Sequence, residues 1–282
     1  MSSRTLLLTA LAMLAFAGNS IVCRLALKTT EIDAASFTSV RLVAGAITLL
    51  VILRLKTAAQ PLSGTWSGAL ALTTYAIAFS FAYLNLDAGS GALLLFGAVQ
   101  LSMIAWGFYR GERFSFATTF GLAMALAGLL ALLLPGANTP ALGSALLMLL
   151  AGVAWGVYSL MGRGATDPLA TTAGNFLRAV PIGLIISAVF ISRLQWDLAG
   201  LGYAVLSGAV TSGVGYAIWY SALRGLKSFQ AATVQLSVPI LTALAGSLLL
   251  GEALNLRLLL SSAAVLGGIA IVLQSKQRNT QN

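Results

Sequence analysis

The chain has 282 residues, of which 59% are apolar and 8% are Asp, Glu, Lys or Arg; 29 are glycine, one is cysteine and none is histidine. A soluble domain carries about 25% charged residues and a disordered chain is poor in apolar ones, so both classes are excluded and a polytopic membrane protein remains. With Cys23 alone there is no internal disulfide, and without histidine the usual zinc and haem ligand sets are missing, so no cofactor is expected.

A helix that crosses a bilayer needs roughly 20 predominantly apolar residues, and ten segments meet that demand. The first, 5–27, carries Asn19 and Ser20, with Arg24 near its far end. Arg4 and the triplet Ala15-Phe16-Ala17 imitate a secretory signal, but the apolar stretch runs on to Leu27, so a retained helix is expected. The second, 34–54, holds Arg41 about two turns in. On the third, 66–86, Tyr75, Phe79 and Tyr83 fall at four-residue spacing along one stripe. Gln100 lies near the centre of the fourth, 89–109. The uncharged run from Phe114 to Gly162 is 49 residues long, and Pro135-Gly136, Asn138 and Pro140 split it into spans 115–134 and 142–162.

The sixth span brings Trp155 and Tyr158, and its Gly152-x-x-x-Gly156 permits close helix approach. Arg178 and Pro181 lie in the seventh, 169–191. In the eighth, 199–222, the small residues Ser207-Gly208-Ala209 and Thr211-Ser212-Gly213 precede Tyr216, Trp219 and Tyr220. The ninth, 228–249, contains Gln235, Ser237 and Pro239, and the tenth covers 256–274. Proline inside a helix removes a backbone hydrogen bond and allows a kink.

The net charge of +9 is a topology signal rather than a nucleic-acid signal. Arg4, Arg54, Lys56, Arg110, Arg113, Arg163, Arg224, Lys227, Lys276 and Arg278 fall on one side of the spans, against Lys28, Arg193 and Arg257 on the other. The side rich in Lys and Arg is the cytoplasmic one, so both termini are expected in the cytoplasm.

The two halves, 1–138 and 139–282, resemble each other at an offset of 137–140. Gly18 falls on Gly156, Arg41 near Arg178, Phe79 on Trp219, Ala82 on Ala222, Gly111-Glu112 on Gly251-Glu252 and Gly128 on Gly268. Five spans per half is an odd number, so the second copy enters the membrane inverted. Inverted repeats are a transporter architecture, with the site near the midplane between the copies. The expected fold is therefore all-α: ten transmembrane helices in two inverted five-helix repeats around a central cavity.

Trp155-Gly156, Tyr220-x-Ala222-Leu223, Pro239 and Gly251-Glu252, taken in order, resemble the EamA-type branch of the drug/metabolite transporter superfamily. Within it the chain is similar to the YddG-type amino-acid exporters. Two positions depart from the pattern: Ala17 replaces an aromatic residue before Gly18, and Val99 stands opposite Pro239. The resemblance implies that helices one, three, four, six, eight and nine surround the cavity, with five and ten packed outside it.

Polar and aromatic groups at mid-membrane depth face a cavity or another helix more readily than lipid. The candidate substrate-binding residues are Asn19, Tyr75, Phe79, Tyr83, Gln100, Trp155, Tyr158, Tyr216, Trp219, Tyr220 and Gln235. Trp66, Trp106, Tyr109 and Trp196 lie near span ends and read as an interfacial belt. Arg24, Arg41 and Arg178 read as structural, although capture of a carboxylate is the functional alternative. No Asp or Glu falls mid-span, so an uncharged pocket is expected, with Glu112 and Glu252 anchoring neighbouring helices.

The expected function is export of amino acids or similar small metabolites across the inner membrane by alternating access; the alternative is export of cationic drugs or other metabolites. Partners are a small-molecule substrate and the lipid bilayer, with no nucleic acid, in a monomer. An enzyme would need a nucleophile and base or metal ligands, and a channel would need rings of one chemistry. The sequence shows neither.

Overall fold

The computed structural model describes residues 2–55, 61–111, 115–135, 139–162, 165–226 and 228–281. Among them the secondary structure is helical, in ten segments: α1 (Ser3–Thr29), α2 (Ala34–Leu55), α3 (Trp66–Ala82), α4 (Ala88–Tyr109), α5 (Phe116–Leu133), α6 (Leu142–Gly162), α7 (Pro168–Val189), α8 (Leu198–Leu223), α9 (Ser228–Gln235 and Ser237–Leu250) and α10 (Leu256–Gln281). Nine are long and apolar enough to cross a membrane, and α3 is a shorter apolar helix. Glu112 and the basic Lys56, Arg113, Arg163 and Lys227 lie outside the described residues, as do the side chains of Lys276 and Arg278.

Polar residues at the span ends start the helices. The side chains of Thr65, Ser115 and Asp197 accept the backbone N–H of Gly68, Thr118 and Gly200, and Asp167 accepts those of Leu169 and Ala170. Such caps satisfy donors that have no partner within the helix. The third helix stops at Ala82 rather than near 86. There the carbonyl oxygens of Tyr83 and Leu84 turn to Arg24 instead of continuing the ladder, at 2.8 and 3.1 Å from its Nη1. The ninth helix breaks at Leu236, three residues before Pro239, whose missing N–H leaves Gln235 O without a helical donor.

The helix contacts are symmetric between the two halves. Exchanging α1–α5 with α6–α10 maps the packing of α3 on α6 onto that of α8 on α1, and α3 on α7 onto α8 on α2. The contact of α4 with α6 maps onto that of α9 with α1, while α2–α7, α4–α9 and α5–α10 map onto themselves. Helices five and ten pack mainly on each other. A Cβ added at Gly121 would lie 2.5 Å from the Gly268 carbonyl oxygen, and Ser115 and Ser275 share a 2.6 Å hydrogen bond. They form a peripheral pair, as the resemblance implies. At the span ends Trp66, Trp106, Tyr109 and Trp196 are all exposed, where interfacial side chains belong.

Candidate functional site

The site begins with how three helices are brought close. Gly152 and Gly156 of α6 face α4, where a Cβ on Gly152 would come 2.5 Å from Ala98 Cβ and 2.6 Å from the Leu95 carbonyl oxygen. Bare backbone at this contact sets Trp155, on the adjoining face, against Leu95 and Phe96. Opposite them, α8 widens into a π-helix over Ser207–Val214. π-Turns occur often at functional sites, and this one is built from Ser, Gly, Ala, Val and Thr. Gly208 lets it press against the backbone of α2 at Arg41.

Between these elements is a small central cavity lined from five helices. Phe16, Asn19 and Ser20 come from α1, Tyr75 and Phe79 from α3, Leu95 and Phe96 from α4, Trp155 from α6, and Thr211 and Tyr216 from α8. Its free volume is about 20 Å³, room for little more than a water molecule. Side chains occupy the rest. The Trp155 ring lies 4.8 Å from Tyr75, 5.4 Å from Tyr158 and 5.3 Å from Tyr216 between centroids. Phe79 continues the stack from Tyr75 at 5.4 Å. These are contact distances for aromatic pairs.

A polar network crosses the same place and joins the halves. Asn19 Oδ1 accepts from Ser207 Oγ at 2.8 Å and Thr211 Oγ1 at 3.1 Å, while its Nδ2 donates to the Tyr75 hydroxyl at 3.3 Å. Arg41 Nη2 donates to that same hydroxyl at 3.1 Å, and Arg41 Nε to Ser212 Oγ at 3.4 Å. The guanidinium carbon stands 5.2 Å from the Tyr75 ring centre and 5.1 Å from that of Phe79. Arg41 is thus fully buried behind the aromatic wall, and the wall is not backed by neutral groups alone. The residues that line the cavity are themselves uncharged, and the one charge next to them stands a layer behind, on α2, which Gly208 of the π-segment meets at the Arg41 backbone. Arg178 behaves differently: half-buried, it donates from Nη1 to the carbonyls of Ser63 and Gly174 and holds the α2–α3 connection.

Both ends of the cavity are closed. Toward the face carrying the chain termini, the Phe16 ring meets Trp219 at 5.8 Å and Tyr216 at 5.9 Å. On that side Thr172 Oγ1 joins the hydroxyls of Tyr220 at 2.8 Å and Tyr158 at 3.3 Å. Toward the opposite face, Arg24 Nε donates to Glu252 Oε1 at 3.1 Å and its Nη2 lies 3.4 Å from Asp87 Oδ1. Glu252 Oε2 accepts the Ala88 N–H at 2.7 Å and so caps α4 from the other half of the chain. The carboxylate also suits the positive end of that helix dipole.

Of the eleven candidates from sequence, Asn19, Tyr75, Phe79, Trp155 and Tyr216 line the cavity. Tyr83 sits one ring behind, edge-on to Phe79 at 4.8 Å, and Tyr158, Trp219 and Tyr220 belong to the closure on the terminal face. Two lie elsewhere. Gln100 is buried in α4 away from the lining, and Gln235 donates to the Ala231 carbonyl of its own helix at 3.3 Å. Ninth-helix residues contribute nothing to the lining, which therefore comes from five of the six helices implied. Phe16, Leu95 and Phe96 were not among the candidates, being indistinguishable in sequence from lipid-facing side chains; Thr211 had a signal, the small polar run around it.

The family model described as the EamA-like transporter family matches residues 142–274. An uncharacterized protein of Pseudomonas aeruginosa is 60% identical over 271 residues, spanning 96% of this chain and 94% of that protein. The chain belongs to the EamA-like transporter family. An uncharacterized transporter of Archaeoglobus fulgidus is 26% identical over 74% of this chain and 76% of its own, and the uncharacterized transporter YoaV of Bacillus subtilis 23% identical over 72% and 70%. A crystal structure at 19% identity superposes with a TM-score of 0.68 over 99% of each chain, which establishes the fold. In this EamA-like transporter the cavity and its two closures sit between helices of both halves, across a multi-pass membrane protein.

Proposed function

We propose that this transporter exports amino acids or similar small metabolites across a bacterial inner membrane by alternating access, with both termini in the cytoplasm. The observation that carries the reading is the aromatic cavity of α1, α3, α4, α6 and α8, closed at each end by groups drawn from both halves. A carrier needs a site that one face releases while the other holds it shut. In this conformation both closures are made and the rings fill the site, so substrate enters only when one closure parts and the Tyr75–Trp155–Tyr216 stack loosens. The excess of Lys and Arg toward the face with the termini supports their cytoplasmic placement. The similarity to YddG-type exporters supports amino acids as the substrate class.

Uptake of labelled amino acids into liposomes holding the purified protein tests this. Saturable uptake is expected, reduced at least tenfold, about 1.4 kcal/mol, by Trp155→Ala, which removes the ring at the centre of the stack. No uptake of any amino acid, or a Trp155→Ala protein as active as the parent, would overturn it.

A further inference from the structure

Arg41 is among the largest fully buried side chains of the molecule, at 1% exposure. A guanidinium stays charged in a protein and offers five N–H donors. Here Nε and Nη2 are engaged by Ser212 and Tyr75, and Nη1 has no partner. The ion pairs among the described residues are those of Arg24, so no carboxylate answers this charge. Hydroxyls and two ring faces offset part of the desolvation, but an unpaired buried cation remains costly. A group kept at that cost beside a cavity is a candidate for a ligand that brings the missing charge.

The Tyr75 hydroxyl sharpens the point. It accepts from Asn19 Nδ2 and from Arg41 Nη2, so its own proton is left to donate. Tyr75 lines the cavity, so that proton is available to an acceptor entering it. We propose that Arg41, together with the Tyr75 hydroxyl, anchors a carboxylate group of the transported molecule. This rests on the amino-acid reading above and adds which end of the substrate is held, and where. The carboxylate lies against α2 and α3, and the rest of the molecule against Trp155 and Tyr216. The anchor is one-sided. Arg178, the repeat-related residue, has its Nη1 bound to the Ser63 and Gly174 carbonyls and holds a connection instead. A cavity with this polarity favours carboxylates and repels organic cations, which argues against the cationic-drug alternative.

Competition against labelled L-phenylalanine uptake in liposomes reads the anchor directly. Unlabelled 3-phenylpropionate keeps the carboxylate and lacks the amine; L-phenylalaninamide and phenethylamine lack the carboxylate. For the unmodified protein, 3-phenylpropionate is expected to compete within about tenfold of phenylalanine, with the other two at least about tenfold weaker again. Arg41→Gln should erase that ranking and Arg41→Lys should retain it. Equal competition by phenethylamine, or an unchanged ranking in Arg41→Gln, would overturn the anchor while leaving an amino-acid carrier. If Arg41→Gln fails to fold, the ranking of the unmodified protein alone decides. Absence of uptake of any amino acid would overturn the transport reading and the anchor with it.

Discussion

At the scale of single residues, the strongest prediction concerns Glu252. Its carboxylate is divided between Arg24 Nε and the Ala88 N–H, with its side chain 6% exposed and that of Arg24 10% exposed. Breaking a buried pair leaves a charge without its partner, which costs about 3–5 kcal/mol. Glu252→Gln is therefore expected to lower stability by that order in a denaturation series on detergent-solubilised protein. Replacing Arg24 and Glu252 together by apolar residues should cost less than the two single changes summed; a purely additive double variant would show that the pair is not coupled. Of these two residues, sequence pointed to the role of Glu252, because it follows a helix end and repeats at the Gly111-Glu112 position. The environment of Arg41 was not legible: sequence paired it with Arg178, whereas folding buried Arg41 behind the cavity wall and left Arg178 half-buried on α7, holding the α2–α3 connection.

Among the elements, the ten spans were legible because long uncharged runs punctuated by Pro, Gly and charge leave few other readings. Two helix ends moved: α10 runs on to Gln281 rather than 274, and α3 stops at Ala82 because Arg24 claims the Tyr83 and Leu84 carbonyls, a long-range contact invisible to a local window. The π-segment of α8 shows the same limit: its run of small residues was visible in sequence, but neither its π pitch nor its packing against α2 and α1 was. Close approach of α6 was readable from Gly152 and Gly156, its partner α4 was not, and the contact carries a sharp expectation. Gly152→Val would drive methyl groups into Ala98 and the Leu95 carbonyl, at a cost of about 1–3 kcal/mol or more. Because the contact also sets Trp155, the variant is expected to lose transport beyond its loss of stability, checked by comparing uptake rate and melting temperature. Gly143, where an added Cβ meets open space, should tolerate Val in both measurements.

For the molecule as a whole, two sets of five helices exchange their contacts, and an odd number of crossings per set makes one the inverse of the other. Under the proposed alternating access the two closures, both made here, open one at a time: Arg24, Asp87 and Glu252 part while Phe16, Trp219 and the Thr172 cluster stay together, or the reverse. The most direct measurement is a pair of spin-label distances in lipid nanodiscs, in a Cys23→Ser background. One pair, Thr29→Cys with Leu249→Cys, spans the face of the Arg24 closure, and the other, Arg4→Cys with Arg224→Cys, spans the face of the termini. The account predicts that adding L-phenylalanine shifts the two distance distributions in opposite directions, one lengthening as the other shortens. Distances that stay fixed, or that lengthen together to leave a path open at both faces, would contradict it.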